Sequence, residues 1–189
     1  STIADRADLT KWVQVDLGTA RRLDRIELIA CYDDFNNIGS GFGFPVRFRV
    51  EVSSVEDFDG DNVRTLMDST REDFTNPRSL PVRIKCDQFP VRIIRVTATK
   101  LAERRNDFIL ALAELRAVAP MTQANVARDA NVTASDHIPA NARWAPKFLV
   151  DEAYQRVSLD DSERAELKQL REQRQAIVES IASPEYKSN

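Results

Sequence analysis

The sequence is poor in the residues that carry metal and nucleophile chemistry. It has one histidine, His137, and two cysteines, Cys31 and Cys86, among 189 residues. A structural zinc site takes about four Cys or His ligands, so that class is set aside. Neither cysteine belongs to a CxxC pair. Each ends an apolar alternation, so buried thiols are expected, with a disulfide as the alternative. A Cys-His nucleophilic pair would have to use His137, which sits in the polar turn Asp136-His137-Ile138-Pro139 and is expected to be solvated. No apolar run reaches the roughly 18 residues of a membrane-spanning helix, and no charged start followed by an apolar stretch marks a signal peptide. A basic excess is also lacking. The 27 Lys and Arg face 30 Asp and Glu, a net charge of −3, so a generally basic nucleic-acid surface is not indicated. With 42% hydrophobic and 30% charged residues the composition is globular, which argues against a disordered polar chain. The polar start at Ser1 is that expected of a piece of something larger.

What is present is alternation. In Lys11 to Leu17, Val13, Val15 and Leu17 alternate with Gln14 and Asp16, the period of two of a half-buried strand, and Gly18 is expected to break it. From Leu23 to Ala30, Ile26 and Leu28 take one side, Arg25 and Glu27 the other. From Pro45 to Val52, Val46, Phe48, Val50 and Val52 face one way, Arg47, Arg49 and Glu51 the other. Val82, Ile84 and Cys86 alternate with Arg83 and Lys85. Val91 to Thr99 is a β-branched run suited to deeper burial, and a last strand is expected over Leu110 to Val118. Loops are expected at Asp33 to Gly43, Ser53 to Asp61, Ser69 to Pro81 and Lys100 to Asp107. Short alternating strands without βαβ spacing predict an all-β antiparallel sandwich. Asn36 to Gly43 is the least ordinary loop, holding Gly39, Gly41 and Gly43 of only five glycines. It lacks the Lys-Ser/Thr of a phosphate loop and precedes a strand, so nucleotide binding is not expected.

Pro120 ends the strand region. Residues 121–157 read as a polar connector with a short alternation at Val132 to Ala134, then Trp144 and Phe148. Leu159 to Ile181 reads as a helix: Ser158 with Asp161 resembles a capping box, and Leu167, Leu170, Ile177 and Ile181 form a stripe that Arg174 interrupts. Pro184 stops it. The expected organisation is a sandwich over 1–120, a connector over 121–157, and a C-terminal α-helical extension with its tail over 158–189.

Trp12-Val13-Gln14-Val15-Asp16-Leu17-Gly18, followed by Leu23-Asp24-Arg25-Ile26-Glu27-Leu28, resembles the opening of the discoidin-like, or coagulation factor 5/8 type C, galactose-binding-like domains. Arg92-Ile93-Ile94-Arg95-Val96 and Leu112-Ala113-Glu114-Leu115 resemble later strands of that family. Gly41 to Phe48, Val96 to Leu101, Asn125-Val126-Ala127, Val132 to Asp136 and Leu149-Val150-Asp151 are similar to accessory domains of large exported bacterial proteins, among them rhamnosidase-like glycoside hydrolases and proteins with c-type haem regions. The resemblance implies an eight-stranded jelly-roll sandwich with its ligand end made of loops. It also implies carbohydrate as a ligand class, calcium as a structural cation in some members, neighbouring domains of a parent chain as partners, and an exported location.

A sugar site needs an aromatic face and paired polar groups. Tyr32, Asp33, Asp34, Asn36 and Asn37, with Phe35, supply one such set. Arg105, Asn106 and Asp107, between Arg104 and Phe108, supply a second. The plainer alternative is that the Asp and Asn residues make Asx turns and Phe35 plugs the core. Asp57, Asp59 and Asp61 around Gly60 are the candidate calcium ligands, against the alternative of a tight turn without metal. Trp12 and Trp144 are expected in the core or at an interdomain contact. Arg47, Arg49, Arg83, Arg92 and Arg95 form a candidate basic face that neighbours such as Glu51 would balance. The expected function is a non-catalytic accessory module that binds carbohydrate weakly or positions a neighbouring domain. The alternatives are a purely structural or interaction domain using the C-terminal helix, and, last, a fragment of a glycosidase active region.

Overall fold

The computed structural model describes residues 1–87, 89–139 and 144–153, and beyond them Glu166, Gln169, Leu170 and Gln173. The chain divides into two compact units, Ser1–Gln155 and Arg156–Asn189. In the second, those four described residues are helical. The rest of the helix expected over Leu159 to Ile181 lies outside the described residues.

The first unit is built from strands β1 (Lys11–Arg22), β2 (Arg25–Ile29), β3 (Cys31–Asp33), β4 (Gly39–Phe42), β5 (Arg47–Ser53), β6 (Val63–Asp68), β7 (Val82–Lys85), β8 (Pro90–Lys100), β9 (Ala102–Glu103), β10 (Phe108–Ile109), β11 (Glu114–Val118) and β12 (Asn131–Ala134). A five-stranded sheet has the order β12-β1-β8-β5-β6, and a three-stranded sheet the order β11-β2-β7. All their pairings are antiparallel. The chain passes repeatedly from one sheet to the other, as a jelly-roll sandwich requires. Two small ribbons lie between sandwich strands in the sequence, β3-β4 between β2 and β5 and β9-β10 between β8 and β11.

The alternation does what its period dictates. Val15, Phe48, Val50, Val52, Ile94 and Val96 from the larger sheet share one core with Ile26, Leu28, Ile84, Leu115 and Ala117 from the smaller. Phe48 is fully buried, and a ring so placed stabilises the fold by about 1.5–3 kcal/mol. Phe44, Phe48 and Phe74 meet with ring centroids 5.2–6.0 Å apart. Phe74 thereby ties the long loop before β7 to the core, helped by its own N–H, which donates to Val46 O.

Several elements depart from the sequence reading. Gly18 does not end β1: the strand continues to Arg22, with its register against β8 broken between Asp16 and Arg21. The Asp33 to Gly43 loop contains the turn and second strand of a hairpin, β3-β4, and the turn's positive φ falls at Asn36 and Asn37. The last strand starts at Glu114 and not at Leu110. The region read as a connector contributes β12, which pairs with β1, and Leu149 and Val150, which join the core. Asn125 Oδ1 fastens that region's start by accepting from the backbone of both Ala117 and Ala127. Glycine is required at Gly43, where φ is +69° and a methyl group would sit 2.6 Å from Ala111 Cβ. Gly43→Ala is therefore expected to cost about 2 kcal/mol in urea unfolding, through backbone strain and overpacking together.

Two carboxylates are buried on what alternation alone marks as the wet face of the smaller sheet. Glu27 accepts from Arg25 (2.8 Å), Arg83 (3.2 Å) and Arg116 (2.8 Å). Burial pushes its carboxyl up, but the hydrogen bonds from Arg25 and Arg83 outweigh that and leave it below the usual range. Glu114 is fully buried beside residues 151–152, accepting only a 3.4 Å bond from Glu152 N on Oε1. Its Oε2 has no hydrogen-bond partner among the described residues. Burial pushes Glu114 up to about 8, and the charges of Asp151 and Glu152 add to the effect. Below its ordinary value of 4.5 the carboxyl is protonated whether folded or unfolded. Between there and about 8 only the unfolded chain ionises, so this contribution to stability falls as pH rises and levels off above it. Glu114→Gln is expected to flatten the fall in Tm between about pH 5 and about pH 9 and to raise Tm at the upper end. Melting curves that track the wild type at both ends would show that Glu114 does not carry this dependence.

Candidate functional site

The two loops with candidate sugar contacts lie far apart in sequence and meet in the fold. The β3-β4 hairpin presents Tyr32 to Asn37, and the β9-β10 ribbon presents Arg104 to Asp107. Asn36 Nδ2 donates to Arg104 O at 3.0 Å, and the Arg104 guanidinium lies 4.4 Å from the centre of the Phe35 ring. Asp107 grips that guanidinium from the other side of its own turn, Oδ1 accepting from Nε at 2.9 Å and Oδ2 from Nη2 at 2.8 Å. The hydrogen bond from Arg104 holds the Asp107 carboxyl below its usual range, and the same bond raises Arg104. A planar, doubly held guanidinium is thus the platform beneath Phe35.

Many of the polar residues of these loops have a conformational task. Asn36, Asn37 and Asn106 all have positive φ (53°, 58° and 57°), a region Asn enters more readily than most residues. Asp33 Oδ1 accepts from Phe35 N in an Asx turn, and Asp107 Oδ1 accepts from Arg105 N, two residues before it. The Tyr32 hydroxyl donates to Asp34 Oδ1. Phe35 does not plug the core. It is 39% exposed and Tyr32 is 49% exposed, so both rings are open to solvent.

These rings stand at a cleft of about 920 Å³. Of the eight candidate ligand residues, Tyr32 and Asp33 line it, joined by Phe35 and Arg104. Asp34, Asn36, Asn37, Arg105, Asn106 and Asp107 lie on the same two loops outside the lining. A second set of lining residues comes from the β12 side: Trp12, Asp136, His137, Ile138, Trp144 and Phe148. The sequence reading placed both tryptophans in the core or at a domain contact, yet Trp144 is half exposed. The signal that would have found this set was the Val132 to Ala134 alternation. Its pairing with β1 carries Asp136 to Lys11, whose Nζ lies 2.7 Å from Asp136 Oδ2. Burial pushes the Asp136 carboxyl up, but the bonds from Lys11 and Thr2 outweigh it and leave it lowered.

Cys31 also lines the cleft, where burial pushes its thiol up to about 12. It is protonated at neutral pH, which makes it a poor nucleophile. Cys31 and Cys86 are both free.

The candidate calcium residues sit in the loop after β5. Ser53 Oγ donates to Val55 O and Asp57 O, Gly60–Asn62 forms a 3-10 turn after Asp59, and the Phe58 ring lies 4.0 Å from the Arg95 guanidinium. Protein groups therefore hold this loop. Among the described residues no three His, Cys, Asp or Glu side chains are grouped so as to hold a metal ion. The candidate basic face is balanced by acids: Arg47 pairs with Asp73, Arg49 with Glu51, Arg83 with Glu27, and Arg92 with Asp16 and Glu56. Arg95 instead bonds Gln14 and lies near both Trp12 and Phe58. No helix among the described residues is long and apolar enough to cross a membrane.

No family model matches the chain, and no curated protein matches it. Solved structures that match it include chitosan-binding module 1 derived from a chitosanase/glucanase of Paenibacillus sp. IK-5. The two are 15% identical over 58% of this chain and 70% of that one, with a TM-score of 0.42. Another is CpGH89CBM32-4 from Clostridium perfringens, in complex with glcNAc-alpha-1,4-galactose. It is 24% identical over 55% of this chain and 62% of that one, with a TM-score of 0.36.

Because Arg104 links the two loops, Arg104→Ala is expected to loosen both. Amide exchange at Phe35 to Asn37 and Arg105 to Asp107 should quicken several-fold, while global stability falls by no more than about 1 kcal/mol. Unchanged exchange at those amides would show that the loops are held independently.

Proposed function

We propose that this chain is a non-catalytic module that binds carbohydrate at the cleft beside Tyr32 and Phe35. The observation that carries this reading is the joining of two loops through Arg104, which sets two solvent-open rings next to carboxylate and amide groups. The C–H face of a pyranose is apolar and its rim is hydroxylated, so an exposed ring beside Asp and Asn side chains is chemically matched to it. Tyr32 and Phe35 take the apolar face. Asp33, which lines the cleft, accepts from hydroxyls. Arg104 holds Phe35 in place and acts as a positioning residue. Rigid strands on either side hold the loops, so binding needs little reorganisation. The protonated Cys31 thiol is a poor nucleophile, which fits a binding role. The resemblance of Gly41 to Phe48 and Val96 to Leu101 to accessory domains supports a place within a larger exported bacterial protein.

A glycan array followed by titration calorimetry tests the reading. Saccharide binding is expected, with affinity weakened about tenfold or more by Tyr32→Ala and by Phe35→Ala, each at wild-type Tm. Both residues are solvent-open, so neither change should unfold the protein. An array without hits, or variants that bind as the wild type does, would refute the site.

A further inference from the structure

The cleft is larger than the loop site needs. A single pyranose on Tyr32 and Phe35 fills a fraction of about 920 Å³, near the upper end of the range of small-molecule sites. The remainder is not featureless. Trp12 and Trp144 line it from the β12 side, and Trp144 is half exposed. Solvent-open rings from two unrelated parts of the chain therefore border one cleft.

The charges of the lining are lopsided. Of the carboxylates lining the cleft, Asp136 is already paired with Lys11 at 2.7 Å, which leaves Asp33 and Asp151; the cations in the lining are the Ser1 amine, which donates to Leu110 O, and Arg104, whose guanidinium is already held twice by Asp107. Asp33 is engaged by a backbone N–H, which satisfies an acceptor but adds no positive charge. An anionic ligand entering here meets more carboxylate than guanidinium, and that repulsion selects against it.

Resting on the carbohydrate reading, we propose that the cleft takes an oligosaccharide, neutral or amino-bearing, that reaches from Tyr32 and Phe35 to Trp144. The first ring is held at the loop site, and later rings are held at the tryptophan side. Each added ring that stacks contributes without a new cost in overall rotation and translation, so affinity grows with chain length until the cleft is full.

The test is calorimetry on the whole chain with glucose, galactose and N-acetylglucosamine, with their linear tetrasaccharides, and with tetragalacturonate. A tetrasaccharide is expected to bind about tenfold or more tightly than its own monosaccharide. Trp144→Ala should erase that gain and leave monosaccharide affinity unchanged, with Tm confirming the fold. Tetragalacturonate should bind most weakly. Equal affinity for monomer and tetramer, a gain that survives Trp144→Ala, or tight binding of the galacturonate would each overturn the proposal while leaving the loop site standing. No binding by any of these sugars, monomers included, would remove the carbohydrate reading itself and the proposal with it.

Discussion

The structure depends on two amphipathic sheets covering one another. Neither can leave Val50, Ile94 or Leu28 in water, and each is the other's means of burial. Once β5, β8 and β1 face β2 and β11, the positions of the connecting loops follow from where the strands end. The β3-β4 hairpin and the β9-β10 ribbon are brought together in this way, and no contact within either one would have done it alone. Burial is non-directional, so the pleat, which alternates side chains between faces, supplies the direction.

The outer faces follow a different logic. Their arginines sit within reach of carboxylates, and most such pairs are exposed enough to add little stability. Glu27 is the exception, because its carboxylate is almost fully covered by three guanidinium groups. Taking a carboxylate out of water is tolerable when it is paired this completely. Glu114, two positions along β11 from Arg116, the partner of Glu27, and so on the same side of the sheet, meets the same burial with Asp151 and Glu152 nearby, and keeps its proton instead. The two residues show one principle with opposite outcomes. Burial penalises the charged form, and the neighbours decide whether that penalty prevails.

At the cleft, polar residues set the shape of the loops. Asn36, Asn37 and Asn106 hold backbone conformations that few other side chains accept, and Asp33 and Asp107 close turns. What they produce is a pair of solvent-open rings, Tyr32 and Phe35, the second backed by the Arg104 guanidinium. A surface of this kind is stabilised from behind, by groups that lie beneath the exposed rings.

The sequence by itself determined the layer architecture, because the period of two around Val15, Phe48 and Ile26 has one physical solution: strands with one buried face. It also marked the two loops as chemically unusual. It did not determine that these loops meet, since the Arg104–Phe35 and Arg104–Asn36 contacts join segments with no local relation. Nor did it show that Glu27 is buried, because alternation assigns a face and says nothing of what covers that face. The alternation at Val132 to Ala134 is visible in the sequence but does not say what it pairs with, and its pairing with β1 brings His137 and Trp144 to the cleft. Local pattern reports which side chains must leave water. Which distant segments then become neighbours is decided by how the sheets stack.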